Sequence, residues 1–290
     1  MEPGSTSRVS PPRVFPEASR AARPPTTTPG AFDAHRQTGF VLGAEADLVV
    51  EQLTFEGRVA AASSGSKYRT QTLAAAVAQW TSGWLCRLQA LHAVEWGNYV
   101  SAMPLVRAAS DHHAAMLYVL SDGAAEWQDW LRAAGIARSN DFQADEFVLH
   151  PFRAAEVLAA DPVLGPIYRT ATDLSLSHFG ARLLLTAADS SPGKVAVTFG
   201  DRDFHLGLAE IVLGWLLAMG SAMASTLEAN AEVFASADEQ ESTRLREAAA
   251  RALGRNDRCG IETRETPEGM RYLVSGWRRV PGGAPRRIVL

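Results

Sequence analysis

Cysteine and lysine are almost absent from this chain. Cys86 and Cys259 are its only cysteines in 290 residues and stand far apart, which excludes a disulfide framework and the common zinc spacings. Cys86 lies in an apolar helical run and reads as a small core residue. Lys67 and Lys194 are the only lysines. Arginine carries the remaining positive charge and is scattered, which reads as a compositional bias. Also missing are a GxSxG elbow, a P-loop, a GxGxxG after a strand and an HExxH helix, so the common catalytic signatures are excluded. No positive-then-apolar leader of secretory type is seen, so the cytoplasm is the expected location. One apolar stretch, Leu206–Thr226, approaches membrane-span length. It holds Glu210, Ser221 and three glycines, so a buried bundle helix is expected there and no membrane partner.

Apolar residues make up 47 %, enough for a real core. The charge is uneven. Against a net charge of -4, residues 1–36 carry five Arg and three acids, and residues 251–290 carry nine Arg and four acids, so the centre is near -11. An acidic body argues against general nucleic-acid binding and leaves a local contact open to the Arg-rich tail.

Hydrophobic spacing predicts an all-α bundle of seven or eight helices. Three parts are expected: a disordered Pro-, Ser- and Arg-rich tail over 1–35, a helical bundle over 36–254, and a small β-appendage over 255–290. Helices are predicted at Ala44–Ala62, Tyr68–Trp96, a central helix ending at Leu120, Ala124–Ala134, Arg153–Ala160, Pro166–Leu185, His205–Asn230 and Ala237–Leu253. Gly97 and Gly254 stop two of them. The central helix is capped either by Ser101, with Pro104 in its first turn, or near Asn98, with Pro104 inside it. Asp141–Leu149 is ambiguous. Lys194–Phe199 alternates and reads as a short strand. Ile261–Arg264, Met270–Val280 and Arg286–Leu290 read as a β-meander too small for its own core. No internal repeat is visible.

Chemistry concentrates in Trp96–Leu120. On a helical wheel Leu105, Ala109, His112, Met116 and Val119 share an apolar stripe, with His113 beside it. Arg107 falls on another face, four residues before Asp111, at the spacing of an ion pair. The run Arg107–His112 fits the Arg-x4–6-His pattern of HEPN-type helical ribonucleases, and that resemblance implies a metal-independent ribonuclease. His112 would act near a ribose 2′-hydroxyl and Arg107 would stabilise the phosphorane charge. On one continuous helix the two side chains leave about 140° apart, so convergence needs a helix end or a homodimer partner. The competing reading makes Arg107–Asp111 a structural pair and His112 a core-facing residue.

A wider resemblance covers about residues 80–227. Met103–Leu120 together with Tyr168–His178 is similar to uncharacterised bacterial HEPN-like helical proteins, with Asp111 or Ser110 where that family has Glu. It implies a bundle in which Arg107 and His178 face each other across a polar seam. The candidate site is therefore Arg107, Asp111, His112, Tyr168 and His178, with Asp173 nearby. A non-enzymatic bundle binding a partner protein or small ligand would present a similar sequence, as would a buried polar network. RNA or a partner protein is the expected partner, a role in defence or stress rests on the family analogy, and no cofactor is expected. A metal site from His92, Glu95, His112 and His178 is a third alternative. The run Gly254–Gly260 resembles the opening of a small zinc-binding tail motif but lacks the cysteines that would complete it.

Overall fold

Pro29 occupies the first turn of helix α1, Pro29–Ala62, where a missing N–H leaves no bond unmade. The helix therefore begins ahead of the predicted Ala44. Leu42 has non-helical dihedrals, so α1 is two helices joined at a kink, and the predicted one is the second. The first half escapes hydrophobic patterning because it buries small or polar residues, Ala31, Ala34 and Thr38. The computed structural model describes residues 12–63, 71–123, 154–187, 189–191, 193–235, 238–267 and 269–290. The predicted helix over Ala124–Ala134 and the ambiguous Asp141–Leu149 lie outside them.

Helix α2, Gln71–Glu95, ends before Gly97, whose φ of 67° suits glycine. The carbonyl of Arg202 would lie 2.0 Å from a Cβ at Gly97, so no side chain fits there. Helix α3, Tyr99–Tyr118, is capped by Asn98 accepting from the amide of Ser101, and Pro104 lies inside it. The earlier of the two predicted starts is the one found. The Val100 carbonyl loses its helical donor to Pro104, on a residue that is exposed. A π turn, Val119–Gly123, ends the helix.

Helices α4, Ala155–Ala160, α5, Leu164–Ser175, and α6, Phe179–Thr186, follow. The single helix predicted over Pro166–Leu185 is thus two. The Arg182 guanidinium donates to the carbonyl of Leu174 at 2.8 Å, supplying a partner that the broken helix no longer provides. Helix α7, Leu206–Ala229, is buried over most of its length and meets α1, α2, α3 and the sheet. It is the one described helix long and apolar enough to cross a membrane, and 83 % of its apolar window is buried in the protein. Helix α8, Glu239–Leu253, is capped by Asp238.

Strands β1, Gly260–Thr266, β2, Gly269–Trp277, and β3, Arg286–Val289, form an antiparallel sheet in that order. The architecture is an all-α bundle of eight described helices with a small C-terminal meander. The sheet has no core of its own and shares that of the bundle: Cys259, Val274 and Trp277 are buried with the helical residues. Trp277 is fully buried, its ring centroid 4.3 Å from that of His205 at the start of α7 with the planes tilted by 40°. The carbonyls of Arg278 and Arg279 accept the first free amides of α7, from Gly207 at 3.0 Å and Leu206 at 2.8 Å.

Residues 12–28 carry no helix or strand, as their composition predicts, and lie along α2. The Ala21 amide donates to Glu95 at 2.7 Å, and Trp96 donates to the Ala22 carbonyl at 2.9 Å. Lys194–Phe199 forms no strand; a single bridge joins Ser191 to Lys194.

Candidate functional site

Helix α3 presents its polar residues to different neighbours. Arg107 is exposed and faces α5: its Nη2 lies 3.4 Å from the Tyr168 hydroxyl and its guanidinium carbon 5.5 Å from the ring centroid. One turn on, Asp111 lines a cleft of about 360 Å³ with Tyr168, Arg169 and the small residues Ala154, Ala155 and Ala159. No ion pair joins Arg107 to Asp111 among the described residues. Gly165 lets α5 approach α4, since a Cβ there would sit 2.2 Å from the Leu158 carbonyl. Arg107, Asp111 and Tyr168 are therefore brought together, with Arg169 added.

The other candidates lie elsewhere. His112 turns to α2, its Nδ1 2.9 Å from Gln79 Oε1. Burial lowers its pKa, opposed by the charge of Asp111. His113 is buried beside Thr226, Nε2 to Oγ1 3.1 Å, and burial with the nearby Arg87 charge pushes its pKa down to about 3. The helical wheel had placed both on the apolar side. His178 is exposed, ahead of the first turn of α6, and caps nothing with its side chain. Arg107 meets α5 at Tyr168, and seven more residues of helix, about 10 Å, run from there before the chain turns toward His178. Asp173 accepts the hydroxyl of Tyr272 and ties α5 to β2; burial and this bond raise the pKa of Tyr272.

Two buried charge centres escaped the sequence reading. At the first, Glu56 accepts from Arg87 and, at 3.0 Å, from Trp80 Nε1. A cleft of about 270 Å³ walled by Val77, Trp80 and Trp84 adjoins it. At the second, the Gly254–Gly260 run docks on the bundle. Arg255 reaches Glu45 at 3.0 Å and Glu210 at 2.8 Å; Arg258 reaches Glu45 at 2.6 Å and also donates to the Glu210 carbonyl. Arg278 stands 3.6 Å from Glu210, whose other oxygen accepts the Cys259 amide at 2.9 Å. Burial raises the Glu210 pKa, opposed by that amide and the three guanidiniums. Burial and the neighbouring Glu210 push the Cys259 thiol up to about 12, which makes it inert as a nucleophile or metal ligand at neutral pH. The one sequence signal for this centre was the opposed charge of body and tail.

Among the described residues no three His, Cys, Asp or Glu gather to hold a metal. His92 lies 2.8 Å from the Ser19 carbonyl, and Glu95 is taken by Arg20 and Ala21. No family model, curated protein or solved structure matches this chain.

Proposed function

We propose that this chain is a non-enzymatic binding bundle of the cytoplasm whose ligand sits in the cleft beside α3, at Asp111, Tyr168 and Arg169 with Arg107 at its rim. The observation that carries this reading is the divergence of the Arg107–His112 pair. Arg107 lies on Tyr168 of α5, and His112 lies on Gln79 of α2, on the other side of the helix. Acid–base work on a phosphodiester needs both groups within hydrogen-bond reach of one reacting centre. The separate partners of the two groups, Tyr168 on α5 and Gln79 on α2, favour a binding role over that chemistry.

The cleft offers one guanidinium, a phenol and a carboxylate against a wall of alanines, and Arg107 rests on the outer contact of that phenol. That pattern suits a small ligand carrying an anionic group and a cationic or hydroxyl group, as in an amino acid. The test is thermal-shift titration with free amino acids and simple carboxylates, run beside an RNA cleavage assay without metal. Wild type stabilised by one of these compounds, with the shift lost in Asp111→Ala and Arg169→Ala, is the expected result. RNA cleavage by wild type, abolished in Arg107→Ala and His112→Ala at unchanged melting temperature, would overturn it in favour of a ribonuclease assembled across two copies.

A further inference from the structure

Residues 195–199 form one half of a ladder without its partner. Alternate backbone groups turn inward. The amide of Ala196 donates to Ser190 Oγ at 3.0 Å, the amide of Thr198 to the Thr186 carbonyl at 3.0 Å, and the Lys194 carbonyl accepts from Ser191 at 2.8 Å. The residues between them do the opposite. The amides of Val195, Val197 and Phe199 have no hydrogen-bond partner among the described residues, and their side chains are 62 %, 70 % and 104 % exposed. A period of two in the hydrogen bonding, with the side chains of the unpaired positions exposed, is that of a strand edge. An edge of this kind, apolar and uncharged, is a template for pairing with another chain.

The arrangement of charge identifies the occupant. Lys194 stands at the start of the segment, makes no ion pair among the described residues, and is one of two lysines in the chain. At the far end Asp189, Asp201 and Asp203 surround the single guanidinium of Arg279, at 2.5, 3.9 and 3.4 Å. The segment therefore runs from a positive end to a net negative one. A second copy laid antiparallel about Val197 sets each Lys194 against the other's acidic end. It also pairs Val195 with Phe199 in both directions. All three outward residues then fall at hydrogen-bonded positions of an antiparallel ladder, which closes about six bonds. The contact is isologous and closes on itself, so it stops at two copies.

We propose that this protein forms a two-fold dimer by antiparallel pairing of its 195–199 segments through Val195, Val197 and Phe199, with Lys194 steering the register. Sedimentation or light scattering of the full chain tests it. Wild type should run at twice the 31.2 kDa chain mass. Val197→Pro removes the central donor and should give a monomer with a nearly unchanged melting temperature, since the Val197 side chain is mostly exposed. Lys194→Glu should weaken the dimer at low salt by about tenfold and less at high salt. Val197→Cys should cross-link to itself on mild oxidation, because opposed residues at such a site stand about 5.5 Å apart, within disulfide reach. Ala196→Cys, turned toward the body, should not. A monomeric wild type, or a dimer that survives Val197→Pro and fails to cross-link at 197, overturns the proposal and leaves this edge to a different partner.

Discussion

Arg107 and Arg258 make a useful pair. Both are arginines near a cleft of similar size, and their surroundings are opposite. Arg107 is open to solvent and rests on one phenol ring. Arg258 is closed in: its side chain is 7 % exposed, it binds Glu45, and it crosses α7 at Gly214, where a Cβ would lie 3.1 Å from its Nη2. The contrast shows which of the two the fold depends on. A desolvated guanidinium is held only while its carboxylates are in place, and each partner strands the others when removed. An exposed one contributes little to folding and is free to meet a ligand.

Removing the closed member should have the largest effect. Arg258→Ala leaves Glu45 buried with only Arg255 and should cost about 3–5 kcal/mol of unfolding free energy in a denaturant titration. Trp277→Ala should cost a similar amount, about 3–5 kcal/mol, by emptying the contact between the sheet and the start of α7. In both variants the C-terminal sheet should lose its amide-exchange protection ahead of α2 and α3. A loss below about 1 kcal/mol for Arg258→Ala would mean the sheet is an appendage after all.

These residues also show how far the sequence could be read. Helices with a long apolar stripe, such as α2, α3 and α7, were legible because their periodicity spans many turns. The first half of α1 was not, since Ala31, Ala34 and Thr38 bury too little to leave a stripe. The break at Leu176 was not, because the guanidinium that stabilises it comes from Arg182 on the next helix. Alternation in Lys194–Phe199 was read as a short strand, and the segment forms none, because among the described residues only one bridge, Ser191 to Lys194, pairs with it. At the candidate site, the wheel separated Arg107 from His112, and the wider resemblance, which brought Tyr168 into the candidate set, set Arg107 against His178 where the structure sets it on Tyr168. Glu45 and Arg258 stand 213 positions apart. No local spacing encodes such a pair, and only the excess of arginine in the tail over an acidic body hinted at it.

Acidification should produce the next effect. His113 and His205 are buried neutral, with pKa values pushed down to about 3 and about 4. Burial is the first cause for both, followed by the charge of Arg87 for His113 and of Arg279 for His205. The unfolded chain takes up these protons near pH 6.5 and the folded chain does not. Their contribution is therefore complete above about pH 6.5 and is lost as pH falls through that value toward 4. Each histidine adds a slope of up to about 1.4 kcal/mol per pH unit in that window. Glu210 acts in the other direction, since its folded pKa is raised: its contribution is present at low pH and declines as pH rises past the ordinary carboxylate range. Denaturant titrations at pH 7 and pH 5 should show wild type weaker at pH 5. His113→Gln should flatten that dependence, and an unchanged slope would place the acid sensitivity elsewhere.

The open member should have the smallest effect. Arg107→Ala removes an exposed cation–π contact and a long hydrogen bond, together about 0.5–1 kcal/mol, or a melting shift of about 2–4 °C at most. Tyr168→Phe keeps the ring and loses the hydroxyl, so it should retain most of that contribution if stacking is the main term. A cycle of Arg107→Ala with Tyr168→Phe separates them: a coupling energy near zero leaves the contact with the ring, and one as large as the whole loss assigns it to the hydroxyl instead. If Arg107→Ala costs as much as Arg258→Ala, Arg107 is a structural residue, and the cleft beside it loses its claim to be a site. If the loss is small, Arg107 is held in place by a contact too weak to serve stability, and the position of its charge at the rim of the cleft is what remains to be explained by a ligand.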